Sequence, residues 1–238
     1  KCPQLKFLSV AFTGVDHVDM EYCHAHDIVV SNCSGYANEA VSELVFGLAI
    51  SLYRQILLED AAVRHGKTRA GMPNFELCGK KFGIIGAGAI GRKTAMLAQA
   101  FGCEVYAYNR SVKEIPGVTF MPLDELLPIV DILSVHVPLT AETRGLLDEV
   151  AIRKMKKTAI LINTARGPVV DSAALAAALT DGRLAGAAVD VFETEPPLMQ
   201  DHLLLQAPNL LATPHIGFAT QEAMEKRADI AFENIRAW

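Results

Sequence analysis

The sequence predicts an α/β fold with a doubly wound parallel sheet, on three observations. From residue 80 onward, short apolar runs of strand length alternate with stretches of helical periodicity. The strand-like runs are almost continuously apolar, which is typical of strands covered by helices on both faces. A glycine-rich segment also follows the first of these strands and precedes the first helix, the arrangement in which such folds bind phosphate groups.

The first third of the chain predicts two short strands and one long helix. A strand, a short helix and a second strand are expected in that order at Leu5–Phe12, Asp16–His26 and Ile28–Val30. Asn38 can cap a helix whose apolar residues recur at helical spacing through Leu57, and this helix is expected to end near Gly66. A loop is expected at 71–73.

The remaining residues predict six strands and five helices. The strands are expected at Phe82–Ile85, Glu104–Tyr108, Ile132–Val137, Ala159–Ile162, Gly186–Val189 and Leu210–Ala212. The helices are expected at Ala89–Ala100, Leu123–Leu127, Glu149–Met155, Ser172–Thr180 and, as a charged amphipathic helix, Thr220–Trp238. Such alternation with short connections implies parallel strands joined by helical crossovers.

Composition limits the classes to which the protein can belong. The 238 residues are 51% hydrophobic and 21% charged with net charge −5, which suits a folded core and gives no electrostatic footprint for nucleic acid. The densest basic cluster, at 153–157, is expected at the solvated end of a helix. No apolar run approaches the roughly 18 residues of a membrane span. We therefore expect neither a nucleic acid nor a membrane as partner.

Cysteine and histidine usage predicts neither a disulfide framework nor a metal site. The five cysteines are an odd number without a C-x-x-C pair, and the seven histidines show no H-E-x-x-H arrangement. Free thiols are typical of a reducing compartment, and no signal peptide is apparent. The sequence thus predicts a cytoplasmic protein without a metal.

The glycine-rich segment has the form G-x-G-x-x-G. Gly86 allows a tight turn, Gly88 lets the backbone approach a pyrophosphate, and Gly91 lets the helix pack on the strand. The pattern alone is weak, and an ordinary turn between strand and helix is the alternative. Its position between a strand and an Ala-rich helix favours dinucleotide binding, because a helix N-terminus supplies free N–H groups and positive potential.

The segment Asn109-Arg110-Ser111 bears on the choice between NAD and NADP. Asn109 lies 18 residues after Gly91, where NAD-binding proteins carry a carboxylate for the ribose hydroxyls. Asparagine does not repel a 2′-phosphate, and Arg110 is placed to bind one. The cofactor is thus NAD or NADP, with NADP slightly favoured. The alternatives are that Arg110 points to solvent or stacks on the adenine.

Three polar residues follow consecutive strands of the predicted sheet: Arg166, Glu195 and His215. Ligands of open α/β sheets bind beyond the carboxyl ends of the strands. Arginine offers a planar fork for a carboxylate, histidine exchanges protons near neutrality, and a neighbouring glutamate raises the histidine pKa. Taken singly, Arg166 can be an ordinary loop arginine, Glu195 a solvated acid and His215 a capping histidine. Their joint occurrence favours one catalytic cleft.

These motifs resemble the D-isomer-specific 2-hydroxyacid dehydrogenase family. The matching stretches run in family order, at 86–91, 136–140, 163–171, 190–196 and 213–217, and Arg166 and Glu195 keep the family spacing of 29 residues. The resemblance implies a Rossmann sheet inserted in a partial flavodoxin-like substrate domain. The implied units are a substrate-domain remnant at 1–38, an interdomain and dimer helix with its loop at 39–72, the dinucleotide-binding domain at 73–213, and a return segment at 214–238.

The resemblance also implies a role for each site residue. Arg166 would hold the substrate carboxylate and polarise the keto oxygen, together with backbone N–H groups at Thr13 and Gly14. His215 would be the acid/base, with Glu195 as its partner, and Asp190 would contact the nicotinamide carboxamide. The implied cofactor contacts are Gly86, Gly88, Ala89, Ile90, Gly91, Asn109, Arg110, Ser111, His136, Val137, Pro138, Thr143, Thr164, Ala165, Asp190 and Gly217.

The implied activity is hydride transfer between a nicotinamide dinucleotide and a 2-oxoacid or D-2-hydroxyacid, by a homodimer. A non-catalytic dinucleotide sensor, like the co-repressors related to this family, is the alternative. Formate oxidation is disfavoured, because formate enzymes of this fold carry glutamine where Glu195 stands. Relative to the family, part of the substrate domain is expected before Leu5 and a strand and helix after the last helix. We therefore expect the chain as written to be poorly active.

Overall fold

The computed structural model describes residues 1–238 except 1, 3, 70, 72, 112, 113, 195 and 196. Its strands are β1 (Phe7–Val10), β2 (Val29–Asn32), β3 (Lys81–Ile85), β4 (Glu104–Tyr108), β5 (Val118–Phe120), β6 (Ile132–Val135), β7 (Ile160–Asn163), β8 (Gly186–Val189) and β9 (Leu210–Ala212). Its helices are α1 (Met20–Ala25), α2 (Asn38–Tyr53), α3 (Ile56–Arg64), α4 (Ala89–Ala100), α5 (Leu123–Leu126), α6 (Glu149–Lys154), α7 (Ser172–Thr180), α8 (Leu203–Gln206) and α9 (Gln221–Ala237).

Seven strands form one parallel sheet in the order β5-β4-β3-β6-β7-β8-β9. Consecutive residues of β6 enter different cores: Ile132 belongs to the cluster with Val45 and Phe46 of α2, and Leu133 to the cluster with Leu175 of α7. Alternate strand residues point to opposite faces, so helices cover both sides of the sheet. The predicted doubly wound α/β fold is confirmed.

The N-terminal strands form a separate two-stranded parallel sheet, with Phe7 opposite Val29. Helix α9 returns to this sheet, and the ring of its C-cap residue, Trp238, stacks on Phe7 with centroids 5.1 Å apart. Val10 is buried, whereas Leu5 stays 40% exposed. The first and last segments of the chain therefore lie together.

The helix expected from Asn38 to Gly66 is broken into two, and that prediction is wrong in this respect. Gln55 has a left-handed backbone, with φ of 51°, and α3 leaves α2 at 57°. Within the described residues, no single helix is long and apolar enough to cross a membrane, and α2 and α3 meet that test only as this bent pair. Val45 and Ala49 of α2 are fully buried in the core.

Two further elements were not predicted. Strand β5 has three residues at the sheet edge, and α8 is a single turn of four residues. The first helix also begins later than expected, because the side chain of Asp19 caps it by accepting from the N–H of Tyr22 at 2.8 Å. Elements this short carry too few residues for periodicity to separate them from loops.

Candidate active site

The loops that follow β3, β7, β8 and β9 meet at the carboxyl edge of the large sheet. Gly86 follows β3 directly, Arg166 lies in the turn after β7, Asp190 follows β8 directly, and His215 lies in the turn after β9. Because all seven strands are parallel, these turns share one edge. The structure thus brings the phosphate loop and two of the three predicted catalytic residues to one side of the sheet.

The glycine loop is shaped by its neighbours. Gly86 has φ of 94°, and a Cβ there would lie 2.8 Å from the carbonyl oxygen of His136. A Cβ at Gly91 would collide with the carbonyl oxygen of Gly86. Space is open at Gly88, where a Cβ would meet no atom within 4 Å, and no side chain caps α4 at this end. Uncapped N–H groups facing open space fit a pyrophosphate.

Asn109 ties the end of β4 to the glycine loop. Its Oδ1 accepts from the N–H of Ala87 at 3.1 Å, while its Nδ2 donates to the carbonyl oxygen of Ser111 at 2.7 Å and to the Ser111 hydroxyl at 3.1 Å. An aspartate has no N–H to donate, so the turn at Ser111 suits asparagine. Arg110 is exposed.

The loop after β6 lies beside the glycine loop and contains several of the predicted cofactor contacts. The His136 ring shares a 2.9 Å hydrogen bond with the Ser134 hydroxyl, and burial lowers the pKa of His136 to about 4, so the ring is neutral at pH 7. The Thr143 hydroxyl donates to the carbonyl oxygen of Pro138 at 2.6 Å and thereby fixes the turn. Val137 is half-buried beside Gly86. The predicted cofactor contacts of this loop therefore line the same edge as the glycine loop.

The turn after β7 is clamped by Asn163, which sequence reasoning did not single out as a site residue. Its Nδ2 donates to the carbonyl oxygen of Arg166 at 2.9 Å, and its Oδ1 accepts from the N–H of Ala165 at 3.1 Å. The buried hydroxyl of Thr164 has no hydrogen-bond partner in the described part of the chain. A buried hydroxyl without a partner is costly, so Thr164 fits a ligand that supplies one.

Arg166 spans to the N-terminal loop and meets an unpredicted partner there. Its Nη2 lies 3.1 Å from Oδ1 of Asp16, and its Nε lies 3.3 Å from the same oxygen. A Cβ at Gly14 would collide with Nη2, so the guanidinium rests directly on the Gly14 backbone. The predicted substrate-binding residues Gly14 and Arg166 are therefore adjacent in space. They are far apart in the chain, since 150 positions separate the neighbouring Asp16 from Arg166.

The contacts that Arg166 makes with described residues leave donors for a further ligand. Its Nη1 donates to the carbonyl oxygen of Ala165 at 2.8 Å, and the carboxylate of Asp16 occupies its Nε and one hydrogen of Nη2. A guanidinium has five N–H groups, which leaves one hydrogen on each terminal nitrogen for a second carboxylate or a keto oxygen. Burial raises the pKa of Asp16, but hydrogen bonds and charge from Arg166 outweigh burial and hold this pKa below its ordinary value.

Asp16→Asn is expected to lower kcat/KM for 2-oxoacid reduction about 3- to 10-fold, mainly through KM, because Arg166 loses the charge that orients it. The stabilisation from a lowered carboxylate pKa is present above the unfolded-state value of about 3.9 and is lost as pH falls through the folded-state value. The variant should therefore unfold more readily than wild type at neutral pH and converge with it in acid. Steady-state kinetics and urea melts against pH measure both effects.

The matched control is Glu21→Gln, which removes an exposed carboxylate from the same segment. It should leave KM and the acid transition at their wild-type values. Equal kinetics in Asp16→Asn and wild type would show that Arg166 needs no partner to orient it.

Asp190 organises the loop that carries His215. This carboxylate is 1% exposed and accepts from the Thr213 hydroxyl at 2.6 Å and from the N–H groups of Ile216 and Gly217, each at 2.8 Å. His215 itself adopts a left-handed backbone with φ of 55°. Three hydrogen bonds to one buried carboxylate therefore hold a strained turn in place. The contact of Asp190 with a carboxamide stays a prediction.

His215 lies against an aromatic neighbour. Its ring meets the ring of Phe218 edge to face, with centroids 5.2 Å apart, and Phe218 meets Phe12 in the same way at 6.1 Å. Glu195 lies outside the described residues, so its pairing with His215 stays a prediction. Nearby Glu193 lies 3.5 Å from His202. Among the described residues, no cluster of three or more His, Cys, Asp or Glu is placed to hold a metal ion.

Known proteins resemble this chain over nearly all of its length. The family model "D-isomer specific 2-hydroxyacid dehydrogenase, NAD binding domain" matches residues 46–217. A glyoxylate reductase of Thermofilum pendens is 42% identical, over 99% of this chain and 72% of that protein. The structure of D-lactate dehydrogenase from Aquifex aeolicus with NAD and lactic acid is 32% identical, with TM-score 0.92, over 99% of this chain and 76% of that one.

A second solved structure carries the other nicotinamide cofactor. It is an acyclic imino acid reductase in complex with NADPH and D-Arg, 34% identical, with TM-score 0.93, over 98% of this chain and 75% of that one. Proteins of this architecture have thus been seen with NAD and with NADPH.

Proposed function

The chain belongs to the D-isomer specific 2-hydroxyacid dehydrogenase family, and we propose on that basis which of its residues carry out the reaction. The protein is an NAD-dependent oxidoreductase that transfers hydride between a nicotinamide dinucleotide and a 2-oxoacid. The proposed cofactor site is the glycine loop with the turns after β6 and β7. Open space at Gly88 and the unpartnered hydroxyl of Thr164 support it. When bound, the dinucleotide supplies or accepts the hydride.

Arg166 and the loop at Thr13 and Gly14 are proposed to hold the substrate carboxylate. The single observation that carries this assignment is the contact of the Arg166 guanidinium with the Gly14 backbone, across two segments far apart in sequence. The guanidinium also stabilises charge that develops on the keto oxygen, because its remaining N–H groups are already in position before reaction.

His215 is proposed to donate a proton to the developing alkoxide during reduction and to accept it during oxidation. Its loop is fixed by Asp190 on the same edge of the sheet as Arg166. An imidazole nitrogen can both donate and accept a proton, so it can serve both directions. Glu195 is proposed as the carboxylate that stabilises the imidazolium.

The assay for this function is the oxidation of NADH or NADPH by glyoxylate and hydroxypyruvate, followed at 340 nm. Turnover that depends on Arg166 and His215 supports the proposal. Tight dinucleotide binding with no turnover on any 2-oxoacid would favour the non-catalytic sensor, which no relative named above supports.

The proposed domain organisation follows the contacts of the chain ends. Residues 73–213 carry the whole seven-stranded sheet, and 1–38 with 214–238 carry the small sheet and the helix that covers it. The linking segment at 39–72 contains α2, which lies in the core, and α3, none of whose residues is buried.

A homodimer is proposed through α3. Its apolar side chains Leu57 and Val63 are 63% and 68% exposed. Exposed apolar patches of this kind mark association surfaces. Sedimentation velocity would measure the dimer.

Five free thiols support a reducing compartment such as the cytoplasm.

We propose a modest preference for NADPH over NADH. No carboxylate stands at Asn109 to repel a 2′-phosphate, and the exposed Arg110 is available to bind one. Glu142 opposes this preference. The Thr140 hydroxyl, the backbone and the charge of Arg110 together lower the pKa of Glu142, so it carries negative charge close to Arg110.

Arg110→Ala is expected to lower kcat/KM for NADPH about 10-fold with little change for NADH, because a charge-assisted hydrogen bond contributes about 1.5–3 kcal/mol. Glu142→Gln should shift the preference further toward NADPH. Initial rates with both cofactors measure the ratio. A wild-type protein that favours NADH tenfold, with no selective loss in Arg110→Ala, would reverse the proposed preference.

A further inference from the structure

Arg227 of α9 places a second cation near the candidate active site. Its guanidinium carbon lies 5.2 Å from the ring centroid of Phe12 and 6.0 Å from that of Tyr36. Within the described ranges, no carboxylate oxygen lies within 4.0 Å of this guanidinium, whereas the preceding residue, Lys226, pairs with Glu39 at 3.3 Å. Aromatic rings hold Arg227 in place, but they do not cancel its charge.

A continuous row of rings joins Arg227 to the catalytic candidates. We call Phe12, Tyr36 and Phe218 the aromatic wall. Phe12 lies two residues before Gly14, and its ring is 6.1 Å from that of Phe218, which in turn lies 5.2 Å from His215. Arg227 therefore lies on the same side of the molecule as the loop proposed to hold the substrate carboxylate.

The charges of both Arg227 and Arg166 act on the hydroxyl of Tyr36. Burial raises the pKa of the Tyr36 hydroxyl, while the charge and hydrogen bond of Arg227, and more weakly the charge of Arg166, oppose the rise. The buried Tyr36 hydroxyl therefore lies within the electrostatic influence of both guanidinium groups. Because its pKa is raised, Tyr36 stays protonated at neutral pH and does not neutralise either cation.

We propose that Arg227 binds a second anionic group of the substrate, so that the protein prefers 2-oxoacids with a carboxylate or phosphate at the end remote from C1. This inference rests on the proposed roles of Arg166 and His215. With the C1 carboxylate at Arg166 and Gly14 and the keto oxygen at His215, the remaining substituent would extend along Phe12 and Phe218, because Phe12 is two residues from Gly14 and Phe218 contacts His215. Phe12 is at most about 7 Å from Gly14 along the backbone, and the guanidinium carbon of Arg227 lies 5.2 Å from the centroid of the Phe12 ring.

Desolvation makes this assignment chemically reasonable. Arg227 is half-buried, and among the described residues its guanidinium contacts rings and a neutral hydroxyl but no carboxylate, so lost hydration is not replaced by a charge partner there. An incoming anion restores a charge partner, and the planar fork of arginine suits both carboxylate and phosphate. The alternative is a purely structural role, in which Arg227 only fastens α9 to Phe12 and Tyr36.

The test compares kcat/KM for substrates with one and two anionic groups in wild type and Arg227→Gln. Glyoxylate and hydroxypyruvate carry one such group, oxaloacetate carries a second carboxylate, and 3-phosphohydroxypyruvate carries a phosphate. Wild type should favour at least one dianionic substrate over glyoxylate, and Arg227→Gln should lower that ratio at least 10-fold. Comparing oxaloacetate with the phosphate ester identifies which anion fits. Lys226→Gln, the matched loss of a neighbouring cation, should leave the ratio unchanged.

Two results would overturn the proposal: a wild-type preference for glyoxylate over both dianions, or an equal loss on all substrates in Arg227→Gln, which indicates a structural role. Failure of the proposed function is separable from failure of this inference. If wild type reduces no 2-oxoacid, calorimetric titration of the protein with malonate and acetate still decides it. Malonate bound more tightly than acetate, and weakened selectively by Arg227→Gln, supports a second anion site; equal binding refutes it.

Discussion

Replacing Arg166 with lysine is expected to lower kcat/KM for 2-oxoacid reduction by about 10²-fold or more. The guanidinium contacts the Gly14 backbone, pairs with Asp16, donates to Ala165, and still keeps one hydrogen on each terminal nitrogen. Lysine has one nitrogen, which cannot serve Asp16 and a substrate carboxylate in this geometry at once. Loss of a bidentate charged contact that strengthens in the transition state corresponds to about 2.7 kcal/mol for a 10²-fold effect.

The controls for Arg166→Lys separate chemistry from folding. Cofactor affinity, measured by nucleotide fluorescence, should stay near the wild-type value, because the substitution changes none of the proposed cofactor contacts. The exposed α6 substitution Arg153→Lys, away from the proposed site, should be kinetically silent. Near-normal turnover in Arg166→Lys would remove this residue from the substrate site.

Local sequence signals predicted the parts of the site that are built locally. The turn from β3 into α4 was predictable because its glycines meet steric demands of the same turn: Gly86 has a positive φ, and a side chain at Gly91 would collide with the Gly86 backbone. The apolar strands were predictable because burial on both faces leaves few polar positions. Strand ends that carry Arg166 and His215 followed from these strands.

Contacts between distant segments were not predictable from local patterns. Asp16 meets Arg166 only because the N-terminal loop folds over the end of β7, and no spacing rule links residues 150 positions apart. The break between α2 and α3 was hidden because apolar spacing continues past Gln55, a residue type that rarely adopts the left-handed region. No local pattern predicted the contacts of Arg227 either, because Phe12 and Tyr36 lie far from it in the chain.

Asp190→Ala is expected to reduce kcat at least about 10²-fold and to destabilise the fold by about 3 kcal/mol. The substitution leaves the Thr213 hydroxyl and the N–H groups of Ile216 and Gly217 without their shared acceptor in a buried position. The left-handed turn at His215 then loses the bonds that hold it, and the imidazole leaves the geometry needed for proton transfer.

Thr213→Val is the graded control for Asp190→Ala, because it removes one hydrogen bond and keeps the two from backbone N–H groups. Thr213→Val should lower the free energy of unfolding by about 1 kcal/mol and reduce kcat only a few-fold. Thermal melts measure stability, and kinetics well below both melting temperatures separate misplacement of His215 from unfolding. If Asp190→Ala loses stability but keeps wild-type kcat below its melting temperature, then the turn at His215 is held by the strand end alone and Asp190 is a structural residue.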